Sequence, residues 1–244
     1  MSLDQKRARV FGVLFLITFV TSIPALLLYE AVLRHPVSYI AGAGHDKQVL
    51  LAALLELLLI IANIGTAVVI FPILRRHNEE LSIGYVTARL IESTFILVGI
   101  ISILGIITLR QQVAGGAEGT VAYTLAGLKD WTFLLGPGWV VGWGNGLILG
   151  YMMYRSQLVP RPWPWLGMIG GPLLILTGTA ILFGGNHPSS TLHGLQGIAT
   201  IPEAAWELFL GVYCLIWGFR KEAPILSEVD EPAAVTPTAA LSPA

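Results

Sequence analysis

Seven polar residues stand inside long apolar runs of this chain: Glu56, Asn63, Arg89, Glu92, Asn145, Glu203 and Glu207. In hydrocarbon an ionisable side chain costs roughly 2.5–3.5 kcal/mol or more at a helix centre unless it is paired, so such residues turn towards one another or towards a cavity. Their spacing permits this. Glu203 and Glu207 are four apart and continue into Gly211, Cys214 and Gly218 along one helical face. Arg89 and Glu92 are three apart, and Glu56 and Asn63 seven apart, each pair on one face. Two kinds of chemistry fit. In one, Arg89 pairs with Glu92 and Glu207, the asparagines add hydrogen bonds, and the cluster only fixes helix register. In the other, the carboxylates outnumber the arginine and form a small-molecule- or ion-binding site, or a path for protons.

Other chemistry finds little support. The single cysteine, Cys214, excludes an intramolecular disulfide and a cysteine-only metal site. His35, His45, His187 and His193 fall between the apolar runs on one side and His77 on the other, and the spacing of His187 and His193 matches no strong zinc pattern. A histidine within a span, which bis-histidine haem would need, is absent. So are G-x-S-x-G, H-E-x-x-H, Walker A and dinucleotide fingerprints. No catalytic residue, metal or cofactor is assigned, and an outer-face enzyme using Glu203, Glu207 and His193 has no motif behind it.

The elements that must hold these residues are membrane helices. Of the 244 residues 55% are hydrophobic and 12% charged, half the roughly 25% charged share of a soluble domain, and the mean hydropathy is +0.73. The net charge of -1 gives no reason to expect a nucleic-acid partner. A spanning helix needs about 20 apolar residues, and six stretches qualify: residues 10–29, 49–74, 81–109, 131–154, 165–183 and 201–219. The first is too long for a signal-peptide core and lacks a clear cleavage site, so it is read as retained. At 1.5 Å per residue, Glu92 lies about 17 Å from Leu81 and Glu207 about 20 Å from Arg220, with Asn63, Asn145 and Arg89 at comparable depth. Glu56 and Glu203 fall nearer the outer surface.

Lys6, Arg7, Arg9, Arg75, Arg76, Arg155, Arg161, Arg220 and Lys221 lie on one side of these spans, and Arg34, Lys47, Arg110 and Lys129 on the other. Nine against four puts both termini in the cytoplasm by the positive-inside rule. The expected fold is therefore all-α, a six-transmembrane-helix bundle over residues 1–220 in the cytoplasmic membrane. Residues 221–244, rich in proline, alanine and acid, form a disordered cytoplasmic tail. The connections over residues 114–120 and 184–197 read as flexible and polar loops.

Without a hydrophobic drive between helices in lipid, close backbone packing holds a bundle together. Gly138, Gly142, Gly146 and Gly150 recur every fourth residue and cut a groove along span four, which suits packing within the chain, with a homo-oligomer through the same face as the alternative. Pro137 should bend or break that helix.

Three segments carry a resemblance: FPILRRHNEELSIGYVTARLIES (residues 71–93), RPWPWLGMIGGPLLILTG (161–178) and IPEAAWELFLGVYCLIWGF (201–219). With the R-x-x-E of Arg89 and Glu92 and the W-E-L of Trp206, Glu207 and Leu208, the chain resembles the bacterial domain-of-unknown-function 4386 family. Glu203 departs from the pattern, which has an apolar residue there. The resemblance implies a polytopic bacterial inner-membrane protein and no particular activity.

Overall fold

The structure, a computed structural model, describes residues 1–42, 45–112, 118–184 and 191–227. The helices run in the order α1 (Leu3–Arg34), α2 (Pro36–Ala41), α3 (Asp46–Leu74), α4 (Glu79–Gln112) and α5 (Glu118–Leu135). The chain continues through two π-helical stretches (Gly136–Val140 and Gly142–Leu149) into α6 (Gly150–Ser156), then α7 (Pro164–Gly184), α8 (Thr191–Ile216) and α9 (Pro224–Ser227). Among the described residues there is no strand. Six segments are long and apolar enough to cross a membrane: α1, α3, α4, the composite Glu118–Ser156, α7 and α8.

All six expected spans are present, but two begin well before their apolar stretch. The fourth starts at Glu118 and not near residue 131, because Ala122, Ala126 and Lys129 follow a three-to-four spacing and give residues 118–130 a buried face. The sixth starts at Thr191, so His193 is helical and half of the expected polar loop is not a loop. His187 and the rest of that loop, like residues 114–117 of the other one, lie outside the described residues. Nor is the whole segment after residue 220 separate from the bundle. Ala223 and Ile225 are buried in the same core as Phe219, and the Arg220 amide donates to the Leu158 carbonyl at 2.9 Å. Residues 228–244, the remainder of the expected tail, lie outside the described residues.

At one end, here called the terminal end, the Gln5 side chain clamps the two ends of the chain. Its amide donates to the Phe219 carbonyl at 2.6 Å and its oxygen accepts from the Phe219 amide at 3.0 Å. Gly218 makes this turn with φ +73°, a conformation that favours glycine. Any Cβ there would also strike the Gln5 oxygen at 1.9 Å. Asp4 binds Arg76 on the α3–α4 connection at the same end. At the other, distal end, Asp46 pairs with Arg110 and accepts from the Tyr39 hydroxyl at 2.6 Å. Burial, with this bond to Asp46, pushes the Tyr39 hydroxyl above its ordinary range.

The two larger of four apolar clusters among the described residues follow from this arrangement. One, built on Phe11, Phe15, Ile70, Tyr85, Met152 and Trp206, lies towards the terminal end. The second, built on Tyr29, Val32, Val49, Ile103 and Ala122, lies towards the distal end. The polar residues occupy the layer between.

Backbone contact sets the close crossings. A Cβ on Gly12 would lie 2.5 Å from the Leu215 amide nitrogen, so α1 and α8 touch there backbone to backbone. A Cβ on Gly142 would lie 2.6 Å from the Gly171 carbonyl oxygen, and one on Gly146 2.5 Å from the Gly171 Cα. The expected groove is thus filled by α7 of the same chain. It is not a regular α-helical stripe, because Pro137, which lacks an amide hydrogen, introduces the π-helical geometry. The glycines that follow allow the wider turn to continue to Leu149.

Candidate functional site

Three polar groups fill the middle layer. In the first, the Arg89 guanidinium donates to Glu92 and to the Asn63 side-chain oxygen, both at 2.8 Å. The Asn63 amide closes the triangle by donating to Glu92 at 3.1 Å. Arg89 is only 2% exposed, and its charge also lies over the Phe15 ring at 5.6 Å. The pairing expected of Arg89 with Glu92 is present. The direct pairing expected with Glu207 is not, because Asn63 on α3 takes that side of the guanidinium.

The second group was not legible as such. Lys129, expected in an outer segment, is 4% exposed. Its Nζ lies 2.5 and 2.7 Å from the two Glu56 oxygens, while the Tyr29 hydroxyl donates to Glu56 at 3.0 Å. Gly99 on α4 makes room for the lysine stem, since a Cβ there would stand 2.8 Å from its Cδ. The extension of α5 carries Lys129 inwards, and Glu56 supplies the counter-charge that a buried ammonium requires. The Ala122, Ala126, Lys129 spacing was the sequence signal for it.

The third group is on α8. Glu207 accepts a hydrogen bond from the Asn145 amide. Asn145 is held by its own backbone, whose carbonyl accepts from the Trp206 indole at 3.1 Å. Glu203, one turn away, is 2% exposed, and among the described residues neither of its carboxylate oxygens has a hydrogen-bond partner. Gly146 and Gly170 leave room for it: a Cβ on either would approach a Glu203 oxygen to 2.9 and 3.1 Å.

A cavity of about 190 Å³ joins the three groups. Of the seven residues singled out from the sequence, all but Asn145 line it, together with Lys129 and Asp130. Its remaining wall is largely apolar, with Phe19, Leu26, Leu59, Ile96, Phe133 and Leu174. An engineered cavity of about 150 Å³ holds benzene, so this one has space for a small organic molecule or a few waters. Asp130, Phe133, Pro137 and Thr200 also border a second cavity of about 310 Å³, which reaches His193 and Gln196 on the first turns of α8. The two together lead from the central layer towards the distal end. No cluster of three or more His, Cys, Asp or Glu side chains arranged to hold a metal occurs among the described residues.

The family model described as "Domain of unknown function (DUF4386)" matches residues 10–218. The chain belongs to the DUF4386 family. The match runs from the first span to the glycine turn after the sixth, so the DUF4386 domain contains the whole polar layer and its cavity. No curated protein and no solved structure matches the chain. The chemistry of this DUF4386 site therefore has to be argued from its own geometry.

Proposed function

We propose that this DUF4386 protein is a multi-pass protein of the bacterial cytoplasmic membrane, without enzymatic chemistry, which binds a small molecule or ion in its central cavity to transport or sense it. Both termini are placed in the cytoplasm, as the basic residues argue. The observation that carries this reading is Glu203. Lys129 answers Glu56 and Arg89 answers Glu92, which leaves the carboxyls of Glu203 and Glu207 in excess in the same cavity. A buried carboxylate without partners is normally neutralised by a proton or satisfied by a ligand. Glu203 thus has the properties of an exchangeable binding group, held in a cavity instead of a packed interface.

The paired clusters favour a second, structural role for their own residues. Arg89, Glu92 and Asn63 tie α3 to α4, and Lys129, Glu56 and Tyr29 tie α5 to α3 and α1. Were all the buried polar residues of this kind, the protein would be a packing or partner-binding module only.

Accessibility separates the two. In a Cys214→Ala background, Ala204→Cys puts a thiol on the cavity wall. A small water-soluble methanethiosulfonate should modify it in membranes, while Ile61→Cys on the lipid-facing surface, 66% exposed in the bare chain, should stay unreactive. An Ala204→Cys thiol as inert as the Ile61→Cys thiol would leave the packing role alone standing.

A further inference from the structure

Resting on that reading of the cavity, we infer that its ligand is a small organic ammonium ion, which binds at Glu203 in exchange for a proton and enters from the distal end past Asp130 and Phe133. The charges decide the sign of the ligand. The Lys129 ammonium is engaged by Glu56, and both terminal nitrogens of Arg89 by Glu92 and Asn63. Only the Arg89 Nε–H is left without a partner among the described residues, and with each cation already matched by a carboxylate an anion finds no positive charge in excess. A cation finds Glu203 with both oxygens unpartnered.

The titratable groups that share the cavity with Glu203 agree. Glu207 follows on its own helix, Arg89 and Glu92 come from α4, and Lys129 and Asp130 from α5. Tyr29 of α1 and Glu56 of α3 complete the titratable lining. The part of α7 packed against Glu203 offers glycine backbone at Gly170. Around this cavity five carboxyls stand against two cations. The wall favours an organic ion over a bare metal ion. A hard metal cation takes several oxygen ligands, whereas here Phe19 and Phe133 line the same cavity as the carboxyl, which suits a cation carrying apolar substituents.

The exchange balances without a further reactant. The ammonium arrives with its own charge, the Glu203 carboxyl releases its proton to water, and the carboxylate formed accepts an N–H hydrogen bond from the ligand. The cavity keeps the same net charge before and after. The second cavity, with Asp130 shared between the two and Gln196 and Thr200 beside it, gives the ligand a polar approach from the distal end.

The test uses the full-length protein in detergent with three probes of one size: N,N-dimethylbenzylamine, the alcohol 1-phenyl-2-propanol and phenylacetate, at fixed ionic strength. The amine should bind at least about tenfold more tightly than the alcohol, a difference of about 1.4 kcal/mol. In weakly buffered solution each amine bound should release about one proton, and Glu203→Gln should remove both effects. Should that variant fold poorly, the unmutated protein still decides the matter. The amine, a tertiary base that cannot form an amide, should protect Glu203 from dicyclohexylcarbodiimide, and the alcohol should not. Equal binding of amine and alcohol, preference for phenylacetate, protection by sodium ions alone, or binding without proton release would each overturn the inference. If the Ala204→Cys thiol reacts and the amine does not bind, only the ligand class is wrong. If that thiol is inert, the cavity reading itself fails.

Discussion

Lys129 and Arg89 solve the same problem in different ways, and both can be checked by removing charges in pairs. Each is a cation almost wholly withdrawn from solvent, with its carboxylate within 2.8 Å. Deleting one partner of a buried pair typically costs about 3–5 kcal/mol, because the other charge is left uncompensated. Lys129→Met and Glu56→Gln should each lower thermal stability strongly, and the double variant by clearly less than the two losses added. Arg89→Gln and Glu92→Gln should couple in the same way. Arg89→Gln and Glu207→Gln should couple more weakly, since Glu207 is bonded to Asn145 and not to the guanidinium. Equal coupling of Arg89 to both glutamates would mean that the three share one network. At this scale the sequence was a good guide to which residues gather and a poorer one to who binds whom. Depth along a helix follows from counting residues, so Asn63, Arg89, Glu92, Asn145 and Glu207 were recognisable as one layer. Partners depend on helix rotation and on which neighbour arrives first, and there Asn63 displaced Glu207.

Helix α5 and its continuation show how an element's limits decide what a residue can do. Apolar composition alone starts this span near residue 131, which leaves Lys129 in a loop. The helix starts at Glu118 instead, and the extra residues 118–130 convert a loop lysine into a buried counter-ion. The glycine spacing of the same span was easier to interpret, because small residues at every fourth position have few other uses in lipid. Its π-helical form goes beyond the bend expected at Pro137, since the glycines that let the wider turn continue fit an α-helical packing stripe equally well. Gly142→Leu and Gly146→Leu should each destabilise the protein by at least about 3 kcal/mol, the upper range for an overfilled core, because the obstacle is the α7 backbone. Gly127, where a Cβ meets nothing within 4 Å, should accept leucine with little change in melting temperature. If Gly142→Leu melts with the parent protein, the contact between this segment and α7 is wrong.

Across the whole molecule, six segments of spanning length bring Gln5 and Phe219 together at one end of the bundle, and the proposal that this end faces the cytoplasm can be tested by labelling. In the Cys214→Ala background, cysteines at His45 and Thr191 should react with an impermeant reagent added to intact cells. Cysteines at Glu79 and Glu222 should react only after the cells are opened. Labelling of Glu222→Cys from outside would reverse the orientation. Hydropathy made this architecture legible, because an apolar run of spanning length has few alternatives. The cavity was not legible, since it arises where six helices fail to close on one another around side chains that are polar for different reasons. Two kinds of carboxyl share this cavity: Glu56 and Glu92, answered by a cation, and those in excess, of which Glu203 has neither oxygen partnered among the described residues. Dicyclohexylcarbodiimide adds to carboxyls that carry a proton in apolar surroundings, and mass spectrometry of the digested protein locates the adduct. Glu203 should be modified readily, and Glu56 and Glu92 hardly at all, because their oxygens are engaged by Lys129 and by Arg89. An unmodified Glu203, or equal modification of Glu92 and Glu203, would contradict the account.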